Sequence, residues 1–356
     1  MIRKTFAALA LLAAPTMLGP AAGAQTAAAT ALPQRAVRRD IPMTDMIRRA
    51  YAAGTRDSTG RPGPHYWQLW MDYTIDARFD SATESISGTE TAVIHNAGDS
   101  AMHEIVLRLD QNLFSADVPR AEVVTDITPG MQLTKLTVDG TPVDLDPPPP
   151  VRRQRGEAPP PPTSPLLRGR DLTSARIELP TPVPAHGTAT IGAEWHFRVP
   201  KVVSPARGDR MGRWADTLYQ IGQWYPRVAV FDDLRQGGWD TDPYLGPSEF
   251  YNNFGHFDVH LDMPAGWIVG ATGVLQNPGE VLTQTERDRL AHLTASDTQQ
   301  TIAGVDDRRV RLLGPRPVVR HGLRLDSSLR RLERRLGRRL DANLHGCDLG
   351  SRRRTP

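Results

Sequence analysis

At 356 residues with 39% hydrophobic content, the chain is long enough for two or three domains and can bury a sizeable core. Thirty-one Pro and thirty Gly against 6% aromatics argue against a helical bundle and for a β-rich, turn-rich body. The net charge is only +3, and the single cysteine, Cys347, rules out an intrachain disulfide, so packing has to supply the stability.

The N-terminus has the pattern of a secretory signal. Arg3 and Lys4 precede an apolar run from Phe6 to Leu18, and Ala22-Gly23-Ala24 offers a small-residue cleavage site before Gln25. The run is shorter than the roughly 20 residues of a spanning helix. Residues 1–24 are therefore expected to be removed on export, leaving a periplasmic or secreted protein with no transmembrane segment. Residues 25–64 read as a linker with one short helix around Thr44–Ala53.

From Tyr66 the pattern changes. Leu69, Met71, Tyr73, Ile75, Ala77 and Phe79 alternate with Gln68, Asp72, Thr74, Asp76, Arg78 and Asp80, the period of two of a half-buried strand, which Trp70 alone interrupts on the polar side. Further strands are predicted at Ser85–Asn96, Met102–Leu109, Ala121–Ile127, Met131–Val138, Ser174–Leu179 and Thr188–Val199. Their spacing, with no long helix between them, predicts an all-β antiparallel saddle or sandwich over residues 65–278. Residues 146–170 carry two proline runs, Pro147–Pro150 and Pro159–Pro162, and are expected to be an exposed insertion. Residues 279–305 are expected to be a linker helix region, with Glu286, Arg287, Asp288 and Arg289 exposed.

Residues 306–356 carry 15 Arg, no Lys and 6 acidic residues. Three readings stay open for this tail. It is sequence translated out of frame from GC-rich DNA, a disordered solvated tail, or a binding segment with a basic amphipathic helix over Arg324–Leu340. It holds no aromatic residue, so no stacking platform for single-stranded nucleic acid is present and no nucleic-acid partner is expected.

A search for chemistry finds little. Gly246-Pro247-Ser248-Glu249-Phe250 lacks the final Gly of a nucleophile elbow. A zinc helix needs two His four apart on one face with Glu after the first. In His103-Glu104-Ile105-Val106-Leu107 the second ligand is Leu, and the segment reads as a strand, where positions four apart lie about 13 Å from each other. His256 and His260 alternate with apolar residues in the same way. Asp232-Asp233 and Asp240/Asp242, around Gly237-Gly238, are a calcium-loop candidate set against ordinary turn chemistry. No catalytic residue and no metal ligand is assigned in this chain.

The order and spacing of several pieces carry a resemblance. They are Leu69–Phe79, Thr89–Asn96 with Ala97-Gly98-Asp99-Ser100, Ile105–Leu109 with Gln111-Asn112, and Gln223–Asp232. Gly238-Trp239, Tyr244-Leu245-Gly246, Glu249-Phe250-Tyr251, Phe257-Asp258-Val259 and Pro264–Gly273 follow. Over Tyr66–Leu275 the chain resembles the N-terminal β domain of the aminopeptidase-N-like family of zinc metallopeptidases. The resemblance implies a second domain that holds zinc with a His-Glu-x-x-His helix and a downstream Glu, and peptide substrates anchored by their free amine. Neither that helix nor the family's Gly-x-Met-Glu-Asn strand occurs here. The expectation is thus a truncated, inactive member, with zinc belonging to full-length relatives. The resemblance also implies a Gln or Glu from the β domain that binds the substrate amine; Gln223 and Gln220 are the two candidates. The competing expectation is a non-catalytic secreted β-sandwich binding module.

Overall fold

The computed structural model describes residues 42–59, 61–149, 160–202, 211–214, 218–233, 238–249, 251–264, 266–304 and 323–326. The signal segment, most of the proline-rich insertion and nearly all of the arginine-rich tail lie outside these residues. From Thr44 onward the chain belongs to one compact unit; Pro42 and Met43 are the only described residues of the other.

Helix α1 (Asp45–Ala52) begins where Thr44 caps it, its hydroxyl accepting from the Ile47 amide. The alternation read in the sequence then becomes strand β1 (Trp70–Asp80), followed by β2 (Ser85–His95) and β3 (Met102–Arg108). Strands β4 (Gln132–Val138), β5 (Thr141–Pro142), β6 (Leu166–Arg168), β7 (Ser174–Val183) and β8 (Thr188–Arg198) come next. The remaining strands are β9 (Met211–Trp214), β10 (Leu218–Ile221), β11 (Arg227–Val228), β12 (Phe254–Asp262), β13 (Val274–Leu275) and, past two short helices, β14 (Leu323–Asp326).

An eight-stranded sheet runs β13-β14-β12-β1-β2-β8-β4-β5, and a four-stranded sheet runs β11-β3-β7-β6. Their inward faces meet in one hydrophobic core that includes Met71, Ile75, Ile94, Trp195 and Phe197 from the large sheet and Ile105, Leu107 and Ile177 from the small one. This is the expected all-β sandwich, and all its strand pairs but one are antiparallel. The exception is β12, which lies parallel to β1 with Trp70 opposite Phe254 and Arg78 opposite Asp262. A parallel neighbour needs a long crossover, and here the connection spans most of the domain. It brings β12 back against the first strand.

Four expectations need correction. Ala121–Ile127 is not a strand: Val123 and Ile127 are exposed, and the backbone is held by single contacts such as the Ala121 amide to the Leu245 carbonyl. The apolar residues there have no partner strand to pack against. The end of the predicted insertion is not an exposed loop, because Leu166–Arg168 pairs with β7 and buries Leu167. The linker helix is two helices, α2 (Pro278–Val281) and α3 (Gln284–His292). They separate where Thr283 leaves the helical conformation to cap α3. Glu286 closes the reciprocal capping box and is buried, not exposed. Finally, Leu323–Asp326 pairs with β12 and β13, so the proposed amphipathic helix does not begin at Arg324; residues 327–340 lie outside the described ones.

Candidate functional site

The segment from β10 to β11 carries both glutamines, and the structure separates them. Gln220 lies on β10, opposite Gly212, with its side chain exposed. Tyr219 and Ile221 alternate with it and pack on the core. Gln223 follows the bend at Gly222 and is buried at 9% exposure. Its φ of 51° lies in the left-handed region, which a non-glycine residue adopts at a cost. Its Oε1 is buried with no hydrogen-bond partner among the described residues. A buried carbonyl oxygen without a donor costs about 1–3 kcal/mol. Strain and an open acceptor thus coincide on one residue.

The backbone of this bend is fixed from below. Gln111, in the 3₁₀ turn Asp110–Phe114, is 1% exposed and aims its Nε2 at the Gln223 carbonyl at 3.3 Å, the Gly222 carbonyl at 3.4 Å and the Met211 sulfur at 3.0 Å. Its neighbour Asn112 accepts from the Met131 amide and donates to the carbonyls of Arg170 and Leu172. Four residues past Gln223, Arg227 donates to Asp110 in a fully buried ion pair that Arg108 joins at 3.4 Å. Gln111, Asn112 and the Arg227–Asp110 pair were not assigned roles from the sequence. Four polar residues so close to buried strand ends were the available signal.

Beside the bend lies a cavity of about 430 Å³. Six aromatic rings line it, Phe79, Tyr219, Trp224, Tyr225, Phe257 and Trp267, with aliphatic side chains from β1 and β12 between them. Phe79, Tyr219 and Trp267 pack edge to face in a trio at 4.7–5.2 Å. Gln223 is not among the lining residues. Trp224 and Tyr225 pack on the core and also wall this cavity.

A second feature had no sequence assignment. Glu90 sits on the inward face of β2 with Ile86, Ala92 and Ile94, 5% exposed, between Ile75 and Ala193 of the flanking strands. Burial pushes its carboxyl well above the usual range; the Trp195 indole pulls the other way, although neither Glu90 Oε2 nor Trp195 Nε1 closes a hydrogen bond of normal geometry. Burial likewise raises Tyr73 and Tyr225, while Arg227 lowers both. The Tyr73 hydroxyl accepts from the Val228 amide at 3.0 Å and so ties β1 to β11. The parity of Glu90 with Ile86 and Ala92 was the legible clue.

His103 is exposed on β3, in a strand as read. His256 and His260 face the same side of β12 but engage separately: His256 packs edge-on against Trp70, and His260 bonds Asp76 at 2.7 Å. His95 bonds Asp72 at 2.7 Å. Asp233 is bound by Thr55 and by the Arg56 fork; burial raises its pKa, but those partners bring it below the usual range. Asp232 accepts from the Tyr251 hydroxyl. These partners engage Asp232 and Asp233, and the Asp242 amide donates to Asp240 Oδ1 at 3.4 Å. Among the described residues no three His, Cys, Asp or Glu side chains are placed to hold one metal ion.

No protein-family model matches the chain, and no curated protein does. Among solved structures, it is similar to an M1 zinc metallopeptidase from Deinococcus radiodurans, a mutant bound to a Tyr-Ser-Ala substrate. The identity is 13%, the overlap 61% of this chain and 37% of that one, and the TM-score 0.29. The same enzyme without the mutation gives 14% identity, 60% and 37% coverage and a TM-score of 0.29. A two-domain M1 zinc metallopeptidase mutant bound to L-tryptophan gives 13% identity, 61% and 38% coverage and a TM-score of 0.30. The chain spans well under half the length of these structures, and at such TM-scores the likeness carries no argument about chemistry.

Proposed function

We propose that this chain is the substrate-amine-binding β domain of a zinc aminopeptidase, working with a zinc-holding domain that these 356 residues do not contain. The observation that carries the reading is Gln223: a left-handed, buried residue with an open carboxamide oxygen, on a bend whose carbonyls are clamped by Gln111. A carboxamide oxygen accepts from an ammonium, and an acceptor held in advance loses little entropy when the donor arrives. Gln223 is the assigned contact in place of Gln220, whose exposed side chain needs no donor other than water. The zinc of the partner domain would activate the water that attacks the peptide carbonyl. Export to the periplasm or beyond belongs to the same proposal.

The test is binding of a short peptide with a free amino terminus, followed through the side-chain amide resonances of the glutamines. The free peptide is expected to shift the Gln223 signal, and the N-acetylated peptide to leave it unmoved. Replacing Gln223 with Ala should abolish the response, and replacing Gln220 should not. Equal responses to free and acetylated peptide would refute the assignment.

A further inference from the structure

We infer that the acid-rich outer face of the large sheet docks the chain's own C-terminal segment, residues 327–356, independently of the peptidase reading and of the frame in which the coding DNA continues. An open groove of about 1190 Å³ runs over that face. Asp76 and Arg78 project into it because they alternate with the buried Ile75, Ala77 and Phe79 on β1. Register places His260 and Asp262 beside them on β12, and Glu194 of β8 lies across Thr89 of β2 from Asp76. Glu280 of α2 lines the same groove. Among its described lining residues four are acids, and Arg78 is the only Arg or Lys.

Charge and the point where the chain leaves the sheet identify the occupant. Residues 327–356 carry nine Arg and no Lys against Glu333, Asp341 and Asp348, a net charge of +6. They follow directly on β14, whose last residue, Asp326, lies opposite Asp258, two positions from His260. From β14 to β8 there are four strand spacings, about 19 Å. The eight residues from Asp326 to Arg334 span up to about 26 Å, so the arginines from Arg330 to Arg335 are within reach of Asp262, Asp76 and Glu194. Asp262 pairs with Arg78 at 3.9 Å and Glu194 with Lys135 at 3.1 Å, all four side chains being 41–73% exposed. Such surface pairs hold weakly. A guanidinium fork grips a carboxylate with two hydrogen bonds, where a lysine offers only a point charge. A tethered segment also meets its site at an effective concentration of about 1 mM, which turns weak contacts into a populated state.

Cys347, the only cysteine, lies in this segment and takes a nitroxide spin label with no engineered change. In the labelled full chain at about 0.1 M salt, paramagnetic broadening is expected at the amides of Ser87, Thr89 and Thr134 on the groove. None is expected at Arg176 and Glu178 on β7 of the small sheet. Raising the salt to about 1 M, which cuts the screening length from about 10 Å to about 3 Å, should remove most of it. Glu194→Lys and Asp262→Lys together, at exposed side chains, should abolish it. Replacing Arg330, Arg331, Arg334 and Arg335 with Gln should do the same while leaving the groove intact, which keeps the test decisive if the charge-reversed chain fails to fold. No broadening on the groove, broadening shared equally by the small sheet, or broadening that survives both sets of substitutions would overturn the inference. Broadening of equal strength when only a second, mixed-in chain carries the label would also overturn it, because the occupant would then be another copy. Gln223→Ala should leave the broadening unchanged, so this test and that of the peptidase reading fail separately.

Discussion

Replacing Arg227 with Met is expected to destabilise the domain by about 3–5 kcal/mol, the usual cost of removing one partner from a buried ion pair. Asp110 is 1% exposed in its side chain and Arg227 9%, so the carboxylate left behind has no water to turn to. Arg108 remains, but at 3.4 Å, with its other arm committed to the Asp242 carbonyl. For a domain of this size the loss corresponds to a fall in melting temperature of about 10 °C. The double variant Asp110→Asn, Arg227→Met should lose distinctly less than the two single losses combined, because the Asp110 carboxylate is not left without Arg227, and Arg108, the charge that remains, keeps the Asp242 carbonyl. Thermal melts of the three variants check this; additive losses would show that the pair does not act as a unit. The pair also holds β11, and with it the end of the segment that carries Gln223, against the 3₁₀ turn that carries Gln111. One interaction therefore serves both stability and the position of the candidate site.

Glu90→Gln is expected to stabilise the protein at neutral pH and to have little effect near pH 4. The folded carboxyl titrates well above its ordinary value of 4.5 because burial penalises the charged form. A raised folded pKa gives a contribution that is fully present below the unfolded pKa and is lost as pH rises through the folded one. In that window the parent should lose up to about 1.4 kcal/mol per pH unit from this group. The Gln side chain, which has nearly the same shape and does not ionise, should lose nothing. Asp126, held low by its hydrogen bonds from Arg198 despite partial burial, and Asp233 act in the opposite sense at acid pH. They are common to both proteins, so the difference between parent and variant isolates Glu90. The check is the melting temperature of both proteins from pH 4 to pH 8; parallel curves would show that Glu90 is ionised in the fold.

Much of the large sheet could be read directly. A strand with one buried face writes a period of two into its sequence, and β1, β2 and β8 carry that period over eleven residues each. Where the pattern rests on few apolar residues it misleads. Val123 and Ile127 look like a strand, yet no neighbour covers them. Leu166–Arg168 lies beside proline runs and still pairs, because β7 offers an edge. The parallel placement of β12 on β1 was not legible, since local periodicity says nothing about which strand a segment meets after so long a connection.

For the candidate site, position was readable and state was not. The Gln223–Asp232 segment stood out by its residues, and Gln223 was the candidate with Gln220 as its alternative, but the spacing to Asp232 did not decide between them. What separates them is backbone conformation and burial, a φ of 51° and an oxygen without a donor, and both arise from the fold around Gln111. Glu90 shows the same limit from the other side. Its parity places it inward, but only packing against Trp195, Ile75 and Ala193 fixes the penalty on its charge.

We propose that this β domain works with a zinc-holding catalytic domain. The most direct measurement is to sequence the coding DNA beyond codon 305 and translate it in all three frames. A His-Glu-x-x-His segment with a downstream Glu is expected in one of them. The absence of such a segment from every frame would contradict it.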